Sequence, residues 1–338
     1  DPLHAEREET PVRLSRPLVT ASAVLLVAGL AACSPDSAGA APADGDGPTV
    51  VTVGTLKGQP HLYAPFLYED LAPEGVEFEV VQFDTSPDIK NAVVSGNIDF
   101  GVAGVPSAVS GAAAGQDVVV VAAAADGGSG IIGREGLDGV ESLAGLTVGY
   151  PQGSSQEILL RLTLEAAGMD ADSDLELVNL PFSDMAGALA AGRIDAFASA
   201  ELGPSTALQA GAVEVASPYE TPVGRVNIGL YTTGELIESD PELVQEVVDT
   251  HVRATEQMAA DPQAWADGVV AEFGIDQAVV DTAVQNIWPR WEIDDEYAAQ
   301  VGALVEQMAA LKQIDGEVDV DALLDTTFVE ATEAGGDS

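Results

Sequence analysis

The sequence predicts an α/β protein in which two similar open-sheet domains follow one another and a set of helices closes the chain. Three observations predict it. The chain nearly repeats itself: TVGTLKGQP at 52–60 is answered by TVGYPQGSS at 147–155. Strand-like and helix-like segments alternate within each copy, the order of a parallel sheet with right-handed crossovers. From Asp240 to about Leu311 the pattern turns helical, with no strand signal between the helices.

The first copy opens with VTVGTLKGQPHLYAPFLYEDL, read as a strand, a loop and an amphipathic helix. Pro60 suits the first helical turn, and Leu62, Phe66 and Leu67 share a face. VEFEVVQF (76–83) is the second strand, DFGVAG the third, and VVVVAAAA (118–125) the fourth. In the second copy, Ser154 or Ser155 can cap a helix whose apolar stripe is Ile158, Leu159, Leu162 and Ala166, and Gly168 ends it. LELVNLPF (175–182), DAFASA and AVEVAS (212–217) are its further strands. At an offset of 96 residues, Asp88, Ala92, Gly96, Ile98 and Asp99 match Asp184, Ala188, Gly192, Ile194 and Asp195. Asp99 and Asp195 are read as structural residues that terminate turns.

The tail follows. Asp240-Pro241 and Asp261-Pro262 are N-caps followed by Pro at the first helical position. Leu243, Val244, Val247 and Val248 line one face of the first of these helices. Trp265, Trp288 and Trp291 are read as packing residues rather than a ligand cage, and EATEAGGDS as a frayed end.

Composition narrows the function. The 338 residues carry 56 acids against 12 bases, a net charge of −44. Nucleic acid is excluded as a partner, because phosphate binding needs clustered Lys and Arg, and so is adhesion to anionic lipid by charge. His4, His61 and His251 lie far apart and show no metal spacing. No catalytic Ser/His/Asp set, catalytic Cys, P-loop or cofactor motif appears, so neither catalysis nor a cofactor is expected.

The single cysteine, Cys33, allows no intramolecular disulfide. It ends a stretch in which Arg13 and Arg16 precede an apolar run from Leu18 to Leu30 and then Leu30-Ala31-Ala32-Cys33, the layout of a signal peptide. This ending resembles the bacterial lipobox, in which the Cys is lipidated. Residues 1–33 are therefore expected to be a lipoprotein signal, with 1–11 an upstream over-read, and the Ser/Ala/Pro/Gly/Asp-rich 34–49 a flexible tether. The expected location is extracytoplasmic, anchored to the cell membrane through lipid on Cys33.

In open parallel sheets ligands sit outside the carboxyl ends of the strands. Both glycine loops lie at such ends, with a helix N-terminus behind each. Facing each other, the two copies become the two jaws of one site for an anion or a polar group.

At these residues the chain resembles the substrate-binding proteins of ABC importers, in the sulfonate/nitrate/taurine group of type II periplasmic-binding folds. The resemblance covers about 50–330. It is carried by Val53-Gly54 with Lys57-Gly58, by Ser95-Gly96-Asn97-Ile98-Asp99-Phe100-Gly101, by Tyr150 with Gly153-Ser154-Ser155, and by Ala191-Gly192-Arg193-Ile194-Asp195-Ala196. It implies two domains joined by a two-strand hinge, with 50–126 and 228–332 forming domain 1 and 127–227 domain 2. RVNIGLYTT (225–233) would be the returning strand. It also implies a small-molecule ligand, a membrane permease as partner and a monomeric protein.

The ligand-binding candidates are Gly58, Gln59 and His61 on the first loop and Pro106 and Ser107 after the third strand, where Ser107 would cap the next helix. Ser129 and Asn227 lie at the crossings, Gly153, Ser154, Ser155 and Gln156 on the second loop, and Glu201 past the second Gly-Arg-Ile-Asp strand. The expected ligand is an alkanesulfonate or taurine, since few basic residues suit bare nitrate and a buried Glu201 would favour an amino group. Nitrate and a pyrimidine or other heterocycle precursor remain as alternatives, and behind them an enzyme or a ligand-sensing module on the same fold.

Overall fold

Thr52 and Thr147 hold the same place in the two copies, and each is gripped by the Asp that precedes its third strand. The Asp99 carboxylate accepts from the Thr52 amide at 2.7 Å and from its hydroxyl at 2.6 Å. Asp195 accepts from the Thr147 amide at 3.2 Å and pairs with Arg134 at 2.8 Å, and these bonds hold its carboxyl below the usual range. Both acids thus do structural work, tying first strand to third.

The computed structural model describes residues 47–336. The signal segment, Cys33 and nearly all of the expected tether lie outside the described residues. Eleven strands are formed among those described: β1 (Thr49–Leu56), β2 (Val76–Phe83), β3 (Phe100–Gly104), β4 (Val119–Gly127), β5 (Ser129–Gly133), β6 (Thr147–Tyr150), β7 (Glu176–Asn179), β8 (Ala196–Ala200), β9 (Val213–Ala216), β10 (Ile228–Thr232) and β11 (Ile287–Pro289). They build a six-stranded sheet, ordered β11-β4-β10-β3-β1-β2, and a five-stranded sheet, ordered β7-β6-β8-β5-β9.

The sheets are mixed, not purely parallel. β1 runs parallel to β2 and β3, and β6 parallel to β7 and β8. β10 lies antiparallel between β3 and β4, and β5 antiparallel between β8 and β9. The crossings cause this. β4 leaves the first sheet at its carboxyl edge, and β5 enters the second at that sheet's carboxyl edge, so it must run backwards. The return from β9 to β10 repeats the geometry. Both crossings therefore bring the carboxyl edges of the two sheets together.

Four local expectations are corrected. Residues 60–71 do not form one helix but two 3₁₀ turns (Pro60–Leu62, Ala64–Leu67) and one α-turn (Tyr68–Leu71). Pro65 lacks the N–H a continuous helix would need, and its ring would strike the carbonyl of His61. The tail contains a strand after all, since β11 adds to the sheet edge beside β4. The C-terminus is not frayed through 330–336: a helix runs Thr327–Gly336, held by buried Phe328 and Val329 and by Gln245 bonding Phe328 O and Thr332. Ser107 does not cap its helix. Gly104 is the N-cap, and the Ser107 hydroxyl donates back to Gly104 O at 2.7 Å.

The tail helices complete the core of the first sheet. Asp240 and Asp261 cap the helices Pro241–Ala260 and Pro262–Phe273 through the Leu243 and Ala264 amides. Trp265 is buried and donates to Pro60 O at 3.2 Å. The helix Ser155–Ala166 faces two ways. Leu160 and Leu164 join the core under the second sheet, while Ile158, Leu159 and Leu162 join the core of the first. Ala166, expected in its stripe, is exposed.

Candidate functional site

Gly127 and Gly128 make the outward crossing with φ of +77° and +68°, a conformation that costs a side-chain-bearing residue about 1–2 kcal/mol. Gly127 also has no room, since a Cβ there would lie 2.5 Å from the Trp288 ring. The sharp turn that results aims Ser129 into a buried polar cluster between the carboxyl edges of the two sheets.

Asn227, on the return crossing, donates to Gly127 O at 2.6 Å, and its own carbonyl accepts from Val105 N at 2.8 Å. The Ser155 hydroxyl lies 3.4 Å from Asn227 Oδ1. Gln156 Nε2 donates to the Ser129 hydroxyl at 3.0 Å. The Tyr219 hydroxyl accepts from Ser129 N at 2.9 Å and sits 2.8 Å from Ser129 O and 3.0 Å from Asn286 Oδ1. Asn286 Nδ2 donates to Ser129 O at 2.9 Å and to Glu201 Oε1 at 3.1 Å.

Glu201 is 2% exposed. Burial raises its carboxyl above the usual range, against the Ser205 and Asn286 bonds that pull it down. No Lys or Arg pairs with it among the described residues. His61 is also buried and lies against the crossing, its Nδ1 about 3.2 Å from where a Gly128 Cβ would stand. Burial lowers its imidazole to about 3, so it is neutral, and Nδ1 has no protein partner.

Of the twelve candidates, Ser129, Ser155, Gln156, Glu201 and Asn227 come together through bonds, and His61 stands beside them at Gly128. Gly58 and Gln59 sit half-exposed on the first loop, where Gln59 Oε1 is buried without a partner. Gly153 is exposed, and its amide donates to Glu157 at 2.7 Å. Ser154 is a helix cap: its hydroxyl accepts from Glu157 N and donates to Pro151 O. Pro106 is buried in the first turn of Val105–Ala113, and Ser107 turns to Gly104 O and Tyr231. Lys57 pairs outward with Asp84 at 2.9 Å.

Sequence reasoning missed Tyr219 and Asn286. Tyr219 lies outside any helix or strand and Asn286 ends a short 3₁₀ turn, and only tertiary contact gives either a role. The cluster as a whole offers hydroxyls, carboxamides, one neutral imidazole and one carboxyl. No Ser hydroxyl among the described residues bonds an imidazole, and no group of metal ligands is formed there. The chemistry on offer is hydrogen bonding.

The fold and this cluster define a two-sheet α/β protein with a polar site at the strand edges where the chain crosses twice. The chain belongs to the NMT1/THI5-like family, whose model matches residues 71–265. A protein of Brucella abortus named as a binding protein is 26% identical over 215 residues, covering 63% of this chain and 67% of its own. Among solved structures, the alkanesulfonate-binding protein SsuA of Xanthomonas axonopodis pv. citri, bound to MOPS, superposes with a TM-score of 0.71 at 21% identity, over 83% of this chain and 99% of its own. The periplasmic nitrate-binding protein NrtA of Synechocystis gives 0.69 at 12% identity, over 85% and 89%. At these identities the structural likeness establishes the fold.

Proposed function

We propose that the chain is an extracytoplasmic solute-binding protein that captures a small polar ligand between its two sheets and delivers it to an ABC importer in the membrane, tethered by lipid on Cys33. The observation that carries this reading is the buried polar cluster: groups from both sheets and both crossings converge where a ligand would be enclosed, and no nucleophile–base pair accompanies them. The family, and relatives named for binding alkanesulfonate and nitrate, support it. The fold alone does not, because one fold hosts unrelated activities.

Ser129, Ser155, Gln156, Asn227 and Glu201 are the ligand-binding residues in this reading, with His61, Gly58 and Gln59 on the opposite loop. A buried carboxyl without a cation suits a ligand that brings its own positive group. An aminosulfonate such as taurine fits better than bare nitrate: its sulfonate would meet the N-terminal amides and hydroxyls of Ser155–Ala166, its ammonium the Glu201 carboxyl.

Thermal unfolding of residues 34–338 against taurine, alkanesulfonates, nitrate and pyrimidines tests the reading, because a ligand that binds only the folded state stabilises it by RT ln(1 + [L]/Kd). A rise in Tm with taurine that Glu201→Gln abolishes is the expected result. A rise with pyrimidines alone would replace the ligand and keep the role. Turnover of any bound compound would overturn the role.

A further inference from the structure

Asn286 belongs to neither glycine loop and to neither crossing. It ends a 3₁₀ turn (Val284–Asn286) in the C-terminal tail, immediately before β11, the edge strand that pairs with β4 of the first sheet. Yet its amide and carbonyl groups reach three separate pieces of chain. The backbone carbonyl accepts from Gly128 N at 2.7 Å. The carboxamide Nδ2 donates to Ser129 O and to Glu201 Oε1, and Oδ1 faces the Tyr219 hydroxyl at 3.0 Å. Ser129 opens β5 of the second sheet, Glu201 follows its β8, and Tyr219 stands on the return segment. We infer that Asn286 is a positioning residue: it latches the second sheet and both crossings to the edge of the first, and holds Ser129 and Glu201 in register for the ligand.

Chemistry explains why a carboxamide stands there. Glu201 Oε1 and Ser129 O need donors, and the tyrosine hydroxyl lies within reach of an acceptor. Only Asn or Gln offers donors and an acceptor on one short planar group. An Asp would set a second carboxylate against the buried Glu201 carboxyl, where Glu214 already adds a like charge. Arg225 is engaged with aromatic rings: its guanidinium lies 4.0 Å over Trp288 and 5.9 Å from the Tyr219 ring. Trp288, two residues after Asn286, packs edge-on to Tyr219 with centroids 5.8 Å apart. The latch and this stack therefore share Tyr219, which gives the latch an optical readout.

The test needs no ligand, so it stands apart from the identity of the solute. Amide hydrogen exchange is followed at 128–131 and 199–203 in the full chain, with Trp288 emission isolated by subtracting the spectrum of Trp288→Phe. Asn286→Ala is expected to speed exchange in both segments about tenfold, to leave the core strands β1 and β3 protected, and to shift Trp288 emission. Asn286→Asp is expected to loosen the 199–203 segment further. Adding Glu201→Gln to Asn286→Asp swaps donor and acceptor and is expected to recover most of that protection. Unchanged exchange in both single variants would overturn the inference, as would a double variant looser than Asn286→Asp alone. Uniform loss of protection across the molecule would reduce Asn286 to a general stability role and overturn it too.

Discussion

Asn227 Nδ2 donates to Gly127 O at 2.6 Å, so the return crossing is tied directly to the outward one inside the protein. Both residues are buried. Removing the donor leaves a buried carbonyl unsatisfied, a loss of about 1–3 kcal/mol. Asn227→Ala should lower the urea midpoint accordingly with an unchanged m-value. An unaltered midpoint would mean the crossings are held elsewhere.

Neighbouring serines should separate two roles. Ser154 caps the helix Ser155–Ala166, and Ser154→Ala should cost about 1 kcal/mol of stability. Ser155 caps nothing and faces Asn227. Ser155→Ala removes a buried donor to Asn227 and should also cost about 1 kcal/mol, but it should in addition weaken ligand binding severalfold. Calorimetric titration on the two variants distinguishes them, with thermal melts confirming that both fold, and an equal loss of affinity in both would refute the division.

His251 sets a pH dependence. Its Nε2 lies 2.7 Å from Ala123 O, its Nδ1 2.6 Å from the Tyr68 hydroxyl, and it is fully buried. Burial holds the imidazole down at about 4, from an ordinary value of 6.5. The unfolded chain therefore binds a proton first. The stability His251 contributes is complete above pH 6.5, declines as pH falls, and is lost once pH passes 4, a swing of about 3 kcal/mol. His251→Gln should flatten the stability curve across that window relative to the native protein. A curve parallel to the native one would exclude the assignment.

Two glycines with positive φ should respond differently to alanine. Gly211 (φ +91°) has open space around it, whereas Gly127 would drive a methyl into Trp288. Gly211→Ala should cost about 1–2 kcal/mol from backbone strain alone. Gly127→Ala should cost more than that in the same chemical denaturation assay. Equal losses would show that Trp288 gives way freely.

Much of this fold was legible because the chain repeats its own chemistry. Thr52 with Asp99 and Thr147 with Asp195 recur at offsets of 95 and 96 residues, and in both pairs the carboxylate accepts from the threonine amide. The Asp-Pro pairs at 240 and 261 open helices where they were read to, since capping is local. What was not legible depended on distance. β11 is three residues long and exists because β4 offers it an edge. The end from Glu330 onward reads as frayed because the helix's anchors, Phe328 and Val329, lie just before it and find their partners far back in the chain. Within the candidate site, the crossing residues and Glu201 could be marked from motif position. Tyr219 and Asn286 could not, because a lone Tyr in a turn or a lone Asn at the end of a one-turn 3₁₀ helix carries no spacing to read. The broken helix at 60–71 is different. Pro65 marks the break locally, because it lacks the N–H that a continuous helix needs.

The placing of β5 and β10 has a wider consequence. Each follows the fourth strand of its own copy, and each is inserted between the third and fourth strands of the other. The two halves have traded a strand, as two subunits do in a swapped dimer. Neither half cut out alone would keep its sheet whole, because the strand beside β3 or β8 would leave with its neighbour. A polypeptide holding one copy alone could complete this sheet only by exchanging that strand with a second molecule.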